Sequence, residues 1–574
     1  MMRTLQTLAA LLGLVIAPTL AADPPKVEGD WEGFMKVSDT ASLLMVFHIK
    51  KGDDGKLTAT CDSPNQASKG VKVSGVTLEK NKLTMTVAAN KGEFAATLSD
   101  EGSELKGEWN QGGKALPLTL TRPSTKPESL WEGDIKIQAG LKLKIVLRVR
   151  SDKDGKLTGR MDSPDQNATG FKVDTVTIDK TTLEFTVKTI AGEFSGKLNE
   201  AGTEAVGEWK QAGAAMPLTM KKTDKVSEAR RTQMPKGPFP YQEIEVSYPN
   251  AASGNSLAGT LTLPKGDGPF PVVILITGSG AQDRDETLMG HKPFLVLADY
   301  LTRRGIGVLR VDDRGVGGST GDHGKATSAD FATDVQAGIE YVKTRKDVNA
   351  KKIGLMGHSE GGLIAPMVAA KNPDDVAFIV LLAGPGVPGN EILVAQSALI
   401  GKAMGGKDEE VAKQVAIAQK MYAEIRTGTD EAAVTKALQA LGKEAIGALS
   451  PEDRKKTGDA GLKLMEAQIK MIQTPWFRYF LTYDPRPTLA KVKCPVLAVN
   501  GEKDLQVPPK QNLPEIEKAV KSGGNDKVTV REFRDLNHLF QTSKTGTPAE
   551  YAQIEETFNP DALMVIGDWI AGLK

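Results

Sequence analysis

The sequence predicts a multidomain chain: two tandem all-β repeats, then an α/β domain carrying a helical cap. Three observations carry that prediction. Short motifs recur at one fixed offset through the first half. From about Tyr241, apolar strands alternate with helical segments. Between about residues 389 and 475 the strands drop out and only helical patterning remains. At 574 residues the chain is too long for a single core, so several domains are required.

The repeats occupy 28–122 and 128–222, offset by 100 residues. Trp31-Glu32-Gly33 returns as Trp131-Glu132-Gly133, and Asp62-Ser63-Pro64 as Asp162-Ser163-Pro164. Gly107-Glu108-Trp109 returns as Gly207-Glu208-Trp209. So many matches in one register identify a duplicated structural unit. Each copy reads as about eight short strands in a meander. Alternation is visible in Leu83-Thr84-Met85-Thr86-Val87, and Asp54-Gly55 is a hairpin turn. A meander of that length must hide its edges, so two small up-and-down barrels are expected, with half-open sandwiches as the alternative. Trp31, Trp109, Trp131 and Trp209 read as core anchors. Asp152-Lys153-Asp154-Gly155 begins like a calcium loop but lacks the later acidic ligands, so it too is read as a hairpin turn. Asn167-Ala168-Thr169 fits a glycosylation sequon. The repeats suit a spacer, a docking module or a ligand-binding unit.

Residues 1–22 read as a secretory signal peptide. Arg3 is the basic start, Leu8 to Ala17 an apolar run too short to span a bilayer, and cleavage is expected near Ala21 or Ala22. A periplasmic or secreted protein is therefore expected, with no membrane span. Formal charge is +1, which suggests no nucleic-acid partner. Cys61 and Cys494 are far apart, which argues against a disulfide framework. Residues 223–240, with Pro235, Pro238 and Pro240, read as a linker.

The α/β domain spans 241–574. Strands are predicted at Leu257–Leu263, Val272–Ile276, Ile306–Val311, Phe378–Leu382, Val496–Asn500 and Val528–Phe533. Helices are predicted at Phe294–Arg304 and Asp330–Thr344. Uninterrupted apolar strands between helices predict a mostly parallel sheet covered on both faces. The insert at 389–475 is expected to cap the pocket, with one helix starting at Ser450-Pro451-Glu452-Asp453.

Gly357-His358-Ser359-Glu360-Gly361 is a G-x-S-x-G motif between a strand and a helix, the context of a nucleophile elbow. A tight turn there exposes a hydroxyl at its tip. The helix start behind it leaves backbone N–H groups that can face an oxyanion. With Asp312-Asp313-Arg314-Gly315-Val316-Gly317-Gly318-Ser319, Asn500-Gly501-Glu502-Lys503-Asp504 and Leu536-Asn537-His538, the second half resembles the α/β-hydrolase superfamily. Within it, the second half resembles bacterial serine carboxylesterases and serine aminopeptidase-like hydrolases.

The resemblance implies a triad ordered Ser, acid, His. Asp504 follows the strand Val496–Asn500, and His538 follows the last strand; Glu502 and Asp535 are reserve acids. His358 adjoins Ser359, His291 and His323 precede the elbow, and His48 lies in the repeat, so each fits the base role worse. Glu360 N–H would be one oxyanion donor, and by resemblance Ser279 N–H, in Thr277-Gly278-Ser279-Gly280, the other. Many relatives carry His-Gly where this chain has Thr277-Gly278.

Arg314 would either bind a substrate carboxylate or serve structure. Trp476 and Phe477 would line an acyl pocket or simply pack. No metal-ligand cluster, phosphate loop or cofactor motif is present in the sequence. The expectation is a secreted serine hydrolase acting on small-molecule acyl esters. The alternatives are an aminopeptidase or amidase on the same triad, with Glu391, Glu409 or Glu410 holding the amine, or a binding or scaffold protein with a vestigial hydrolase domain.

Overall fold

The computed structural model describes residues 26–573 except 39–40, 53, 67, 88–91, 124–128, 137–141, 153–154, 165–167, 212–213, 228–229, 448–465, 467–468 and 470–471. The expected signal peptide, the helix start at Ser450, the sequon asparagine and part of the Asp152–Gly155 turn lie outside the described residues.

The first repeat is a nine-stranded antiparallel sheet. Its strands are β1 (Gly29–Lys36), β2 (Ser42–Lys51), β3 (Leu57–Ser63), β4 (Ser68–Val73), β5 (Gly75–Glu79), β6 (Lys82–Val87), β7 (Gly92–Leu98), β8 (Glu104–Gln111) and β9 (Lys114–Thr121). Strand order is β4-β3-β2-β1-β9-β8-β7-β6-β5. The meander closes through β1 and β9, and the two edge strands, β4 and β5, are joined at Ser74. The sheet therefore curls into a nearly closed barrel. Eight strands are expected and nine are found. The apolar stretch around Val71 breaks at Ser74 into two strands that form the two ends of the sheet.

The second repeat has β10 (Ser129–Lys136), β11 (Lys142–Ser151), β12 (Leu157–Ser163), β13 (Ala168–Val173), β14 (Thr175–Ile178), β15 (Thr182–Val187), β16 (Gly192–Leu198), β17 (Glu204–Gln211) and β18 (Ala214–Thr223), in the corresponding order. Alternate residues point inward, as in β7, where every second position is buried. Trp31, Trp109, Trp131 and Trp209 are at most 1% exposed and fill the two interiors. Phe47 stacks on Phe94 with ring centres 6.0 Å apart, and Phe185 meets Phe194 at 5.5 Å.

The duplication also joins the units. Glu32 of β1 accepts from Arg150 at 2.6 Å and Arg160 at 3.4 Å, both in the second repeat. Its counterpart Glu132 accepts from the backbone N–H of Ser227 at 2.8 Å and its hydroxyl at 3.0 Å. Each repeat thus grips the segment that follows it. The stretch after β18 is strapped to the second half. Arg231 donates to the carbonyls of Met289, Ala552 and Ile554 at 2.8–2.9 Å. Gln233 Oε1 accepts from the N–H groups of Thr557 and Phe558.

The second half holds an eight-stranded sheet of β19 (Tyr241–Asn250), β20 (Asn255–Pro264), β21 (Phe270–Ile276), β22 (Gly307–Val311), β23 (Val348–His358), β24 (Phe378–Leu382), β25 (Val496–Gly501) and β26 (Val528–Phe533). Their order is β19-β20-β22-β21-β23-β24-β25-β26. β19, β20 and β22 pair antiparallel, and every later pairing is parallel.

The helices are α1 (Pro293–Arg303), α2 (Ser328–Lys343), α3 (Gly361–Lys371), α4 (Gly389–Ala403), α5 (Asp408–Thr427), α6 (Glu431–Gly447), α7 (Pro475–Thr482), α8 (Arg486–Leu489), α9 (Pro509–Ser522) and α10 (Pro560–Ala571). α2, α3 and α9 cover one face of the sheet, and α1 and α10 the other. The capping box of Thr327 and Asp330 starts α2 two residues before the predicted Asp330. Helices α4 to α7 form the insert, with a small core of Ile425, Val434, Leu438, Ile469 and Leu481. Among the described residues no helix is long and apolar enough to cross a membrane.

Candidate active site

β23 runs out at His358 and α3 begins at Gly361, so the turn between them is as short as a chain permits. Ser359 sits in it with φ +52°, a left-handed conformation that costs a non-glycine residue energy and needs surrounding contacts to hold it. Its N–H donates to Leu382 O at 2.8 Å, tying the turn to the end of β24. A Cβ on Gly357 would lie 1.9 Å from Gly361 O, and one on Gly361 would lie 2.2 Å from Ile276 O. Those close approaches explain the two glycines of the motif.

Asp504 and His538 come together from the loops after β25 and β26. The His538 Nδ1 to Asp504 Oδ2 distance is 2.7 Å. Asp504 Oδ1 accepts from the N–H groups of Gln506 at 2.8 Å and Val507 at 2.9 Å, which fixes how the carboxylate faces. Both residues are at most 5% exposed. The His538 loop is tied to the elbow: His358 Nε2 donates to His538 O at 3.0 Å, and the two rings are 4.8 Å apart. The reserve acids face elsewhere. Glu502 accepts from Asp535 N–H, and Asp535 pairs with Lys503 at 2.6 Å.

The loop after β21 passes the elbow closely, since a Cβ on Gly278 would lie 3.3 Å from Ser359 Cβ. Three acids hold this loop. Asp313 accepts from the Thr277 hydroxyl at 2.7 Å, and Glu286 from Gly278 N–H at 2.8 Å. Glu360 accepts from the Ser279 hydroxyl. Among the described residues, the N–H groups of Ser279 and Glu360 donate no hydrogen bond to the protein. Two free donors beside a strained serine can receive a developing oxyanion.

Desolvation pushes the Asp313 carboxyl well above the usual carboxylate range against the bonds from Thr277 and Gln282, with the Glu360 and Glu286 charges adding to the rise. Burial likewise raises Glu360, opposed by bonds from Ser328, Trp476 and Ser279. Glu286 instead faces His358 at 2.9 Å. These acids act through spatial contact; Glu360 and Asp313 lie inside motifs, but the contacts of their side chains give no sequence signal.

Arg314 is used inside the fold. Its Nε donates to Asp334 at 2.6 Å, its Nη2 to Asp330 O at 2.7 Å, and it is 7% exposed. That geometry leaves the structural reading of this arginine and removes it from the substrate-binding set. Trp476 Nε1 donates to Glu360 Oε1 at 2.8 Å, so the first turn of α7 sits on the elbow. Phe477 packs beside Tyr422 within the insert. Glu409 is exposed and pairs with Lys413, and Glu410 is exposed. Glu391, with Tyr422, Arg426 and Gln511, lines a cavity of about 390 Å³ between α4, α5 and α9. His291 is buried against Thr557 and Tyr551 O, and burial with the nearby Arg231 charge lowers it to about 4. Among the described residues no group of three His, Cys, Asp or Glu side chains could hold a metal ion.

The family model described as serine aminopeptidase, S33 matches residues 292–440. Esterase EstD of Thermotoga maritima is 28% identical over 306 residues, covering 52% of this chain and 61% of EstD. The uncharacterised protein YfhR of Escherichia coli is 28% identical over 171 residues, covering 28% of this chain and 57% of YfhR. The chain thus spans less than two-thirds of the length of these curated relatives. Among solved structures, a Pyrococcus furiosus esterase aligns at 14% identity and TM-score 0.36, over 60% of this chain and 98% of its own. The α/β hydrolase GrgF from Penicillium aligns at 17% and 0.33, over 52% and 91%. With its mostly parallel sheet, its Ser359 elbow, the family-model match and the EstD match, the second half of the chain has an α/β-hydrolase fold and is similar to esterases.

Proposed function

We propose that the protein is an exported serine hydrolase that cleaves small carboxylic esters through Ser359, His538 and Asp504. The observation that carries this reading is the 2.7 Å Asp504–His538 contact, oriented by two backbone N–H groups and tied through His358 to the strained serine turn.

A serine hydroxyl is a weak nucleophile at neutral pH and needs a base. His538 Nε2 takes the Ser359 proton as Oγ bonds to the acyl carbon. Asp504 keeps the other proton on Nδ1 and stabilises the imidazolium. The carbonyl oxygen gains the charge and is received by Glu360 N–H and Ser279 N–H. Collapse breaks the bond to the alkoxy group, which leaves with the proton from His538. Water then attacks the acyl-enzyme by the same steps, releasing the acid and restoring Ser359. No cofactor enters this sequence.

A second reading, an aminopeptidase or amidase on the same residues, is favoured by the family model's description and by Glu391 in the insert cavity, where a carboxylate would meet a substrate amine. Initial rates on p-nitrophenyl esters and on aminoacyl anilides, for wild type and Ser359→Ala, separate the two. Ester turnover lost in the variant supports the esterase; anilide turnover alone supports the peptidase. Absence of both returns the chain to a binding role centred on the barrels. Export rests on residues 1–22 and is tested by sequencing the mature N-terminus, expected at Ala22 or Asp23.

A further inference from the structure

Behind the proposed triad lies a second histidine–carboxylate pair, Glu286 and His358, that the acyl-transfer steps do not use. Glu286 Oε1 accepts from Gly278 N–H at 2.8 Å and stands 2.9 Å from His358 Nδ1. His358 Nε2 stands 3.0 Å from His538 O. Glu286 and His358 are 5% and 7% exposed. Glu286 is itself held at φ +51°, a left-handed conformation that a glutamate keeps only when its surroundings demand it.

Counting hydrogens fixes the state of this pair. A carbonyl oxygen can only accept, so Nε2 must carry a hydrogen. Nδ1 faces a carboxyl oxygen that already accepts from Gly278, so a second hydrogen must lie between Nδ1 and Oε1. The fitting state is an imidazolium against a carboxylate. A neutral His358 would turn a lone pair toward the Glu286 charge.

We propose that Glu286 and His358 form a proton-sharing clamp that holds the oxyanion loop, the serine turn and the base loop in register, and that loss of its proton sets the alkaline limit of activity. Each end touches a different part of the proposed machinery. Gly278 precedes Ser279, whose N–H is a proposed oxyanion donor. His358 precedes Ser359. His538 is the proposed base. Glu286 and His358 are positioning residues, because neither meets the reacting atoms. The inference rests on the serine-hydrolase reading of the site.

The charged and titratable groups around His358 agree with this. Burial opposes its imidazolium, but the Glu286 charge and hydrogen bond, the His538 carbonyl and the Asp504 charge hold its pKa above the ordinary imidazole range. The His538 ring lies 4.8 Å away, and Asp313 senses the Glu286 charge from the far side. For a histidine raised in this way, the clamp is complete below the ordinary imidazole value and is lost as pH rises through the raised one. Activity therefore falls on the alkaline side as His358 gives up its proton.

The test is the pH profile of kcat/KM for a p-nitrophenyl ester from pH 5 to 9.5, with the Ser359→Ala rate subtracted. Glu286→Gln keeps an acceptor at the Oε1 position and removes its charge. Gly278 N–H and His358 Nδ1 share that one position, so the amide oxygen must sit there and accept from both, and the imidazolium loses its counter-charge. Glu286→Gln is expected to move the alkaline limb down by more than one pH unit. His358→Ala, which severs all three loops, is expected to lower kcat at least tenfold with KM changed less than threefold. An alkaline limb unchanged or raised in Glu286→Gln, or absent from wild type, overturns the clamp. Ser359→Ala that still hydrolyses ester overturns the reading of the site instead.

Should the variants fail to fold, ring ¹⁵N NMR of histidine-labelled protein decides. His48 also lies between two carboxylates, Asp30 and Asp62, so the experiment uses a His48→Asn background. One doubly protonated imidazole at pH 8 among the remaining four histidines supports the clamp, and none overturns it.

Discussion

Asp504→Asn is the substitution whose consequence the geometry fixes most tightly. Asp504 Oδ1 is committed to two donors, the N–H groups of Gln506 and Val507. An asparagine there must place its amide oxygen at that position, because an NH₂ group would meet two N–H groups head on. The amide NH₂ is then forced to the Oδ2 position, 2.7 Å from His538 Nδ1. Nδ1 must accept, so the imidazole proton moves to Nε2, which can no longer take the Ser359 proton. In a serine-protease triad the wrong tautomer costs about 10⁴ in kcat, or about 5 kcal/mol of transition-state stabilisation. Because every hydrogen-bonding position stays filled, stability is expected to change little. Asp504→Ala instead leaves the buried Val507 N–H without its acceptor and should lose a further 1–3 kcal/mol or so of stability. The assay is kcat on p-nitrophenyl acetate at the wild-type optimum, with urea unfolding of each variant. An Asp504→Asn enzyme within tenfold of wild type would refute the assignment of Asp504 as the orienting acid.

Three further outcomes are expected. Trp476→Phe removes the donor that seats α7 on Glu360, weakening that seat by about 1 kcal/mol, or about fivefold in population; the check is a KM rise of that size with kcat nearly unchanged. Arg231→Ala releases three carbonyls of the second half and should lower its urea stability by about 2–3 kcal/mol, with the unfolding of the repeats unaltered. Burial pushes both the Cys61 and Cys494 thiols up to about 12, so at pH 8 only about one in 10⁴ is thiolate; mass spectrometry after iodoacetamide should find native protein unlabelled and fully active.

The parts of the fold readable from sequence are those written in local pattern. The 100-residue duplication is plain in the recurring Trp-Glu-Gly and Gly-Glu-Trp motifs, and the two sheets share one strand order. Phe378–Leu382 and Val528–Phe533 are strands at the predicted residues, the first an unbroken apolar run and the second led by the β-branched Val528-Thr529-Val530. The ninth strand of each repeat escaped because the corners at Ser74 and Asp174 are a single residue long. The linker composition marks a boundary, but not that Arg231 and Gln233 strap it down. Most of their partners are main-chain groups some 320 residues away, and backbone carbonyls have no sequence signature. The same holds around the elbow. The G-x-S-x-G spacing shows the turn, because close approach to Gly361 O and Ile276 O excludes side chains there. It does not show that Glu286, Glu360 and Asp313 grip three successive residues of the facing loop, a relation that exists only once β21, β22 and β23 are side by side.

The proposed role of Ser359 as the nucleophile of an ester hydrolase is open to direct measurement: react the full-length protein with a fluorophosphonate, locate the adduct by mass spectrometry, and measure p-nitrophenyl ester hydrolysis beside Ser359→Ala. One adduct is expected, on Ser359, with hydrolysis abolished by labelling and by the substitution alike. An adduct on another residue, or hydrolysis that survives in Ser359→Ala, would contradict that role.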